Sequence, residues 1–108
     1  MIELGEADVL RALKRCLCLA KQDTVFGKYL GDAAYWRNYA LARYSVYRWL
    51  HEQVQKNGVN QTYLLASQRY ADLPLFVSDT QGRGEREALE VFFQVLEGER
   101  PINAKIKA

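Results

Sequence analysis

Proline, cysteine and histidine are scarce in this chain. Its 108 residues include two prolines, two cysteines and one histidine. The prolines stand at positions 74 and 101, so long helices are permitted elsewhere. Two cysteines are too few for the disulfide framework of a small secreted domain. No apolar run approaches the roughly 20 residues that cross a bilayer, and the acidic start is unlike a signal peptide. We therefore expect a cytoplasmic protein with no membrane span.

Excess charge of one sign is also lacking. The net charge is +2, which gives no argument for binding nucleic acid or a membrane surface. Apolar residues make up 49% and charged residues 26%, which are ordinary values for a globular protein. The length suits one hydrophobic core. Residues 1–108 are therefore predicted to form a single domain.

Apolar residues recur at helical spacing in four segments of the sequence. Asp32 and Asn60 are predicted N-caps, and Gly58 is a predicted helix stop. Residues 78–84 are predicted to be a flexible link, and residues 102–108 a frayed tail. The predicted helices cover residues 6–22, 32–57, 60–73 and 85–97. Such helices bury their apolar stripes against each other, so we expect an all-α, bundle-like four-helix assembly with short connections.

The two cysteines are predicted to lie on opposite sides of the first helix. Residues two apart in a helix are separated by about 200°. Cys16 falls in the apolar stripe and Cys18 on the polar side. They can neither chelate one metal ion together nor bridge to each other. No base is identifiable beside Cys18, so the sequence does not predict a cysteine nucleophile.

Other candidate sites are weak in the sequence. His51 has no Cys or carboxylate at metal-ligand spacing and is expected to be an exposed surface histidine. Residues 81–85 combine glycines and an arginine before a predicted helix, which suits a phosphate, but the P-loop pattern is missing and a linker is favoured. Three glutamates opposite the apolar face of the fourth helix are expected to be solvated: Glu87, Glu90 and Glu97. We expect no metal and no cofactor.

The second helix carries most of the functional information. Half of its circumference is apolar, and Leu41 stands among polar residues on the other half. Arg43 lies at the centre of the apolar arc, where it needs a carboxylate partner or an aromatic ring, or else faces a ligand pocket. Asp72 is the predicted partner. The predicted apolar arc consists of Tyr35, Trp36, Tyr39, Ala40, Ala42, Val46, Tyr47, Trp49, Leu50 and Val54.

A stripe on the polar half of this helix is the predicted partner-binding site. It consists of Arg37, Tyr44, Arg48 and His51, which are expected to be accessible. Arg and Tyr are enriched at interaction hot spots. The sequence therefore favours a small non-enzymatic protein-interaction module, such as an adaptor, inhibitor or regulator, of unknown partner. A homodimer is a further option.

DNA binding is the alternative function. Val54, Gly58 and Leu64 match in part the spacing of a helix-turn-helix. The following helix would then present four polar side chains to base edges: Gln61, Thr62, Gln68 and Arg69. The preceding helix is long for that motif, and cations for phosphates are sparse in the second half. An enzyme ranks third, because no nucleophile, base and oxyanion donors can be assembled.

Overall fold

Four helices make up nearly all of the part of the chain that the structure describes, as the periodicity predicts. The computed structural model describes residues 5–26, 33–74 and 80–97. The helices are α1 (Glu6–Phe26), α2 (Ala33–Asn57), α3 (Val59–Ala71) and α4 (Thr80–Glu97). The described residues contain no strand. The predicted all-α four-helix assembly is therefore confirmed.

α2 is the central helix and packs against each of the other three. Its buried side chains meet the apolar stripes of α1 and α4 in one shared core. The predicted arc of α2 is largely buried, but Trp36 is 43% exposed. The core consists of Val9, Leu13, Ala20, Val46, Tyr47, Leu50, Val54, Ala66, Ala88, Leu89, Phe92 and Leu96.

α4 begins earlier than predicted, because residues 80–84 are helical and do not belong to a link. Glycine in a helix interior costs roughly 1 kcal/mol relative to alanine, which argued for a loop. Gly84 is nevertheless buried against α2. A Cβ atom there would stand 2.5 Å from the carbonyl oxygen of Tyr39 and 2.9 Å from the Cβ of Ala42. The close approach of two helix backbones therefore explains this helical glycine.

A single residue joins α2 to α3. Gly58 has a φ of 85°, a conformation that favours glycine, and its N–H donates to the carbonyl of Val54 at 2.9 Å. Gly58 ends α2 as predicted, but it also occupies the N-cap position of α3 that was assigned to Asn60. α3 consequently begins at Val59. It is held lightly, since only Thr62 and Ala66 in it are buried.

α1 extends about one turn beyond the predicted end, to Phe26. Thr24 donates its hydroxyl to the carbonyl of Lys21 at 2.6 Å, so its side chain bonds within the helix. The extension places Asp23 on a helix and not in a connection. The predicted N-cap Asp32 and the predicted tail 102–108 lie outside the described residues.

Candidate functional site

The predicted partner-binding stripe is only partly accessible. Arg37 and Arg48 are exposed, whereas His51 is half-buried and Tyr44 packs against the core. The expectation that all four side chains are freely accessible is therefore wrong for Tyr44 and His51. Both lie at the edge of the core-facing arc of α2, which accounts for their partial burial. Arg48 approaches Glu52 at 3.8 Å on the exposed surface, where such a pair contributes little to stability.

Leu41 lies within this stripe, between Arg37 and Tyr44 along the helix. Its side chain is 44% exposed, and it is four residues from Arg37, three from Tyr44 and seven from Arg48. These spacings place all four residues on one side of the helix. We call Arg37, Leu41, Tyr44 and Arg48 the outer face of α2. Beside it runs a groove of about 530 Å³ lined by Asn38, Leu41, Ala42, Ser45, Thr80 and Gln81.

α3 does not present the four side chains of the DNA-binding alternative together. Thr62 is buried and donates its hydroxyl to the carbonyl of Gly58 at 2.7 Å, so its predicted exposure is wrong. Arg69 is half-buried, its Nε is 2.9 Å from a carboxylate oxygen of Glu85, and its guanidinium lies 4.7 Å from the ring centroid of Trp49. Of the four, only Gln61 and Gln68 are exposed.

Arg43 has the kind of environment that its position in the arc predicts. Its side chain is 16% exposed, and its Nη1 is 2.9 Å from Oδ2 of Asp23. Its guanidinium lies about 6 Å from the ring centroids of Tyr39 and Tyr47. The partner is thus Asp23 and not the predicted Asp72, because the longer α1 carries Asp23 to this point. Its Nε is buried with no hydrogen-bond partner in the described part of the chain.

The cysteines follow the predicted helical phase. Cys16 is half-buried against the core and Cys18 is exposed, and both are free thiols. Burial raises the pKa of the Cys16 thiol, with partial opposition from the charge of Arg43. A raised pKa lowers the thiolate fraction, so this environment does not favour Cys16 as a nucleophile.

A groove between α2 and α4 contains functional groups that sequence analysis did not bring together. We call it the aromatic groove; its volume is about 370 Å³ and it is open to solvent. Its lining residues are Tyr35, Trp36, Tyr39, Arg83, Arg86, Glu87 and Glu90. The Trp36 ring centroid lies 5.2 Å from that of Tyr35 and 6.1 Å from that of Tyr39. The three rings therefore form one cluster with an exposed edge at Trp36.

The segment 81–85, weighed as a phosphate loop or a linker, is part of α4. Its arginine, Arg83, reaches across to α2 and donates from Nη1 to the hydroxyl of Tyr35 at 3.0 Å. Gly84 of this segment serves helix packing, as its close approach to α2 shows. The linker prediction is therefore wrong for the described residues 80–84.

Arg86, Tyr70 and Glu90 form a hydrogen-bonded network at one end of the aromatic groove. The Tyr70 hydroxyl donates to Oε2 of Glu90 at 2.7 Å. Arg86 donates to the Pro74 carbonyl at 2.6 Å, and its guanidinium lies 5.3 Å from the Tyr70 ring centroid. The hydrogen bond to Glu90, followed by burial, raises the pKa of Tyr70. Glu90 is therefore engaged and half-buried, so the prediction that it belongs to a solvated face is wrong.

Glu87 is the exception among the charged groups of the groove. Of the three glutamates predicted to be solvated, only Glu97 is exposed. Glu87 is half-buried, so the prediction is wrong for it. Within the described part of the chain Glu87 has no hydrogen bond and no ion pair. Burial, and then the negative charges of Glu90 and Asp23, raise the pKa of the Glu87 carboxyl. Among the described residues, the Glu87 carboxylate therefore lines the aromatic groove without an ion-pair partner.

No metal centre or membrane span emerges from the described residues. Nowhere among them do three or more His, Cys, Asp or Glu side chains gather closely enough to hold a metal ion. None of their helices is both long and apolar enough to cross a bilayer. In comparisons with known proteins, no family model, curated protein or solved structure matches the chain.

Proposed function

We propose that this protein is a small non-enzymatic interaction module that binds a protein partner through the outer face of α2. The observation that carries the proposal is Leu41, a leucine 44% exposed on that face. Arg37 and Arg48 flank it and are also exposed. An apolar centre with arginines at its rim is the usual composition of a protein-binding surface.

The spacing of the outer face suits a helix that binds in a partner's groove. Arg37, Leu41, Tyr44 and Arg48 stand at i, i+4, i+7 and i+11. They extend over roughly 16 Å at 1.5 Å per residue. Helices recognised in grooves present their anchors at such positions. Tyr44 adds rigid aromatic area at the edge of the core, where freezing it costs little entropy.

Two further properties support a binding role in a reducing compartment. The chain has two cysteines, too few for the disulfide framework of a small secreted domain, which favours the cytoplasm. The half-buried Cys16 is disfavoured as a nucleophile by its raised pKa. We therefore propose a cytoplasmic adaptor, inhibitor or regulator and not an enzyme. DNA binding through α3 stays a prediction, and of its four predicted residues only Gln61 and Gln68 are exposed.

The test compares two exposed leucines. A photo-crosslinking residue at position 41 should capture a protein from cells, and Leu41→Asp should abolish binding of that same protein to the purified chain. Leu19, 53% exposed on α1, provides the matched control, and Leu19→Asp should bind normally. Equal binding by both variants would refute the outer face as the site. Nuclease treatment should change nothing, and loss of the captured protein on nuclease treatment would favour the DNA alternative.

A second copy of the chain is the alternative identity of the partner. Sedimentation equilibrium then gives a mass near twice the 12.5 kDa of one chain, and Leu41→Asp returns it to that of a monomer. Tyr44→Ala would lower the stability of the fold as well as binding, because Tyr44 packs against the core.

A further inference from the structure

The aromatic groove is a surface separate from the outer face of α2. Tyr39 and Leu41 are two residues apart in the helix, so their side chains diverge by about 200°. The groove involves α4 through Arg83, Arg86, Glu87 and Glu90, none of which belongs to the outer face. A ligand in the aromatic groove would therefore not contact Leu41 or the rest of the outer face.

The rings of the groove provide one half of a cation site. Trp36 is 43% exposed although it lies at a core-facing angle of α2. Its ring touches those of Tyr35 and Tyr39, which fixes it without covering it. The exposed part of this indole offers apolar surface along which the methylene stem of a lysine can lie while its charge reaches past the ring.

Glu87 provides the other half. Its carboxylate is half-buried beside these rings, and the described residues give it no partner. The two arginines of the groove are directed at neutral groups, Arg83 at the Tyr35 hydroxyl and Arg86 at the Pro74 carbonyl. Burial, and then the charges of Glu90 and Asp23, raise the pKa of Glu87, and a positive charge brought beside the carboxylate would favour its ionised form.

We propose that the aromatic groove binds a lysine side chain of a protein partner, with the ammonium group at the Glu87 carboxylate and the methylene stem along Trp36. The inference rests on the proposed function in one respect, since the lysine belongs to a protein partner. The site itself stands on residues that the outer face does not contain.

The form of the groove favours a lysine carried on a chain. The groove is open to solvent, so a side chain can enter while its backbone stays outside. A free amine, by contrast, usually binds in an enclosed pocket that surrounds most of its surface. An ammonium group is also more compact than a guanidinium, which suits a groove that already holds Arg83 and Arg86. Its apolar stem can cover the ring of Trp36 while the charge reaches the carboxylate.

The experiment is a titration followed by NMR of the two indole N–H signals. The probe is a short glycine peptide, blocked at both ends, with one central lysine. The Trp36 signal should shift with the peptide, and the Trp49 signal should not, because Trp49 is stacked by Arg69 elsewhere. A matched peptide with norleucine should give no shift. Glu87→Gln should weaken lysine binding about tenfold while remaining folded.

The sign of the charge effect gives an independent check. Arg83 is exposed at the groove, so Arg83→Gln removes a positive charge and should tighten lysine binding. Weaker binding in Arg83→Gln, or unchanged binding in Glu87→Gln, would overturn the proposal. Butylammonium binding as tightly as the peptide would overturn its assignment to a protein lysine.

The same titration separates this inference from the proposed function. Leu41→Asp should bind the lysine peptide as the wild type does, because Leu41 lies outside the groove. Loss of the natural partner with retained peptide binding shows that the outer face is a partner-binding surface and the groove remains intact. A wild-type protein that binds its partner through Leu41 but ignores the lysine peptide refutes the groove alone.

Discussion

Replacing Gly84 by alanine tests the packing of α4 on α2 directly. The added Cβ would stand 2.5 Å from the carbonyl oxygen of Tyr39, 2.9 Å from the Cβ of Ala42 and 3.4 Å from the amide nitrogen of Arg43. Two of these three atoms belong to the backbone of α2, which cannot rotate away as a flexible side chain does. The helices must therefore separate, by roughly 1 Å to restore ordinary contact distances.

Two opposing effects set the change in the free energy of unfolding that Gly84→Ala causes. Alanine favours the helix over glycine by roughly 1 kcal/mol. Overpacking typically costs about 1–3 kcal/mol, and here the upper end applies because backbone atoms are in the way. Separation would also weaken dispersion contacts of the fully buried α4 side chains Ala88, Leu89 and Phe92. We expect a net loss of about 2 kcal/mol and a melting temperature lower by roughly 8–16 °C for a domain of this size.

Circular dichroism during thermal and urea unfolding measures this loss. Ser45, exposed in the middle of α2, provides the calibration. The difference between Ser45→Ala and Ser45→Gly gives the helix propensity alone, and alanine should be the more stable there. Gly84→Ala should show the opposite sign. If Gly84→Ala gains stability to the extent that the Ser45 pair does, the close approach of α2 and α4 is refuted.

Three further predictions concern charged and ionisable groups. Arg43→Met should keep the free energy of unfolding within about 1 kcal/mol of wild type or raise it, because methionine fills the space without a buried unpartnered Nε. A loss above about 3 kcal/mol, measured by urea unfolding, would show instead that the ion pair with Asp23 stabilises the fold. A thiol reagent should modify Cys18 faster than Cys16 in the native protein, since burial raises the Cys16 pKa; equal native rates would contradict this. Burial raises the Glu87 pKa above its usual 4.5, so the stability of the wild type falls as the pH rises through the pKa of the folded state. Glu87→Gln should therefore raise the melting temperature near neutral pH. A gain that persists below about pH 4, where the carboxyl is protonated in both states, would contradict the assignment of this effect to the Glu87 charge.

Local patterns predicted the architecture well. The 3.6-residue spacing of Val9, Leu13 and Cys16 located the buried side of α1, and Cys18 fell on the exposed side as expected. Such periodicity is a property of neighbouring residues, so one sequence suffices to find it. Helix ends are different, because glycine at position 84 reads as a breaker until the backbone that it packs against is known.

Partners across helices could not be predicted. The position of Arg43 in the arc of α2 indicated that it needs a carboxylate. Whether Asp72 or Asp23 is that partner depends on where α1 ends, which the arc does not show. The aromatic groove was missed for the same reason. Tyr35, Trp36 and Tyr39 were assigned to the core because their helical angle is right, although the packing leaves Trp36 exposed beside α4. The assignment of Glu87 to a solvated face failed likewise.

The small number of buried residues in α3 has a consequence for the dynamics of this helix. Only Thr62 and Ala66 in α3 are buried, and the link to α2 is the single residue Gly58. Beside ring contacts of Tyr63 and Tyr70 with Phe93, α3 is held by the partly exposed pair between Arg69 and Glu85. Its amide protons should therefore exchange with solvent through a local opening of low free energy, while the other three helices stay closed and exchange far more slowly. Because added salt screens that pair, exchange in α3 should accelerate with ionic strength before exchange in the core does.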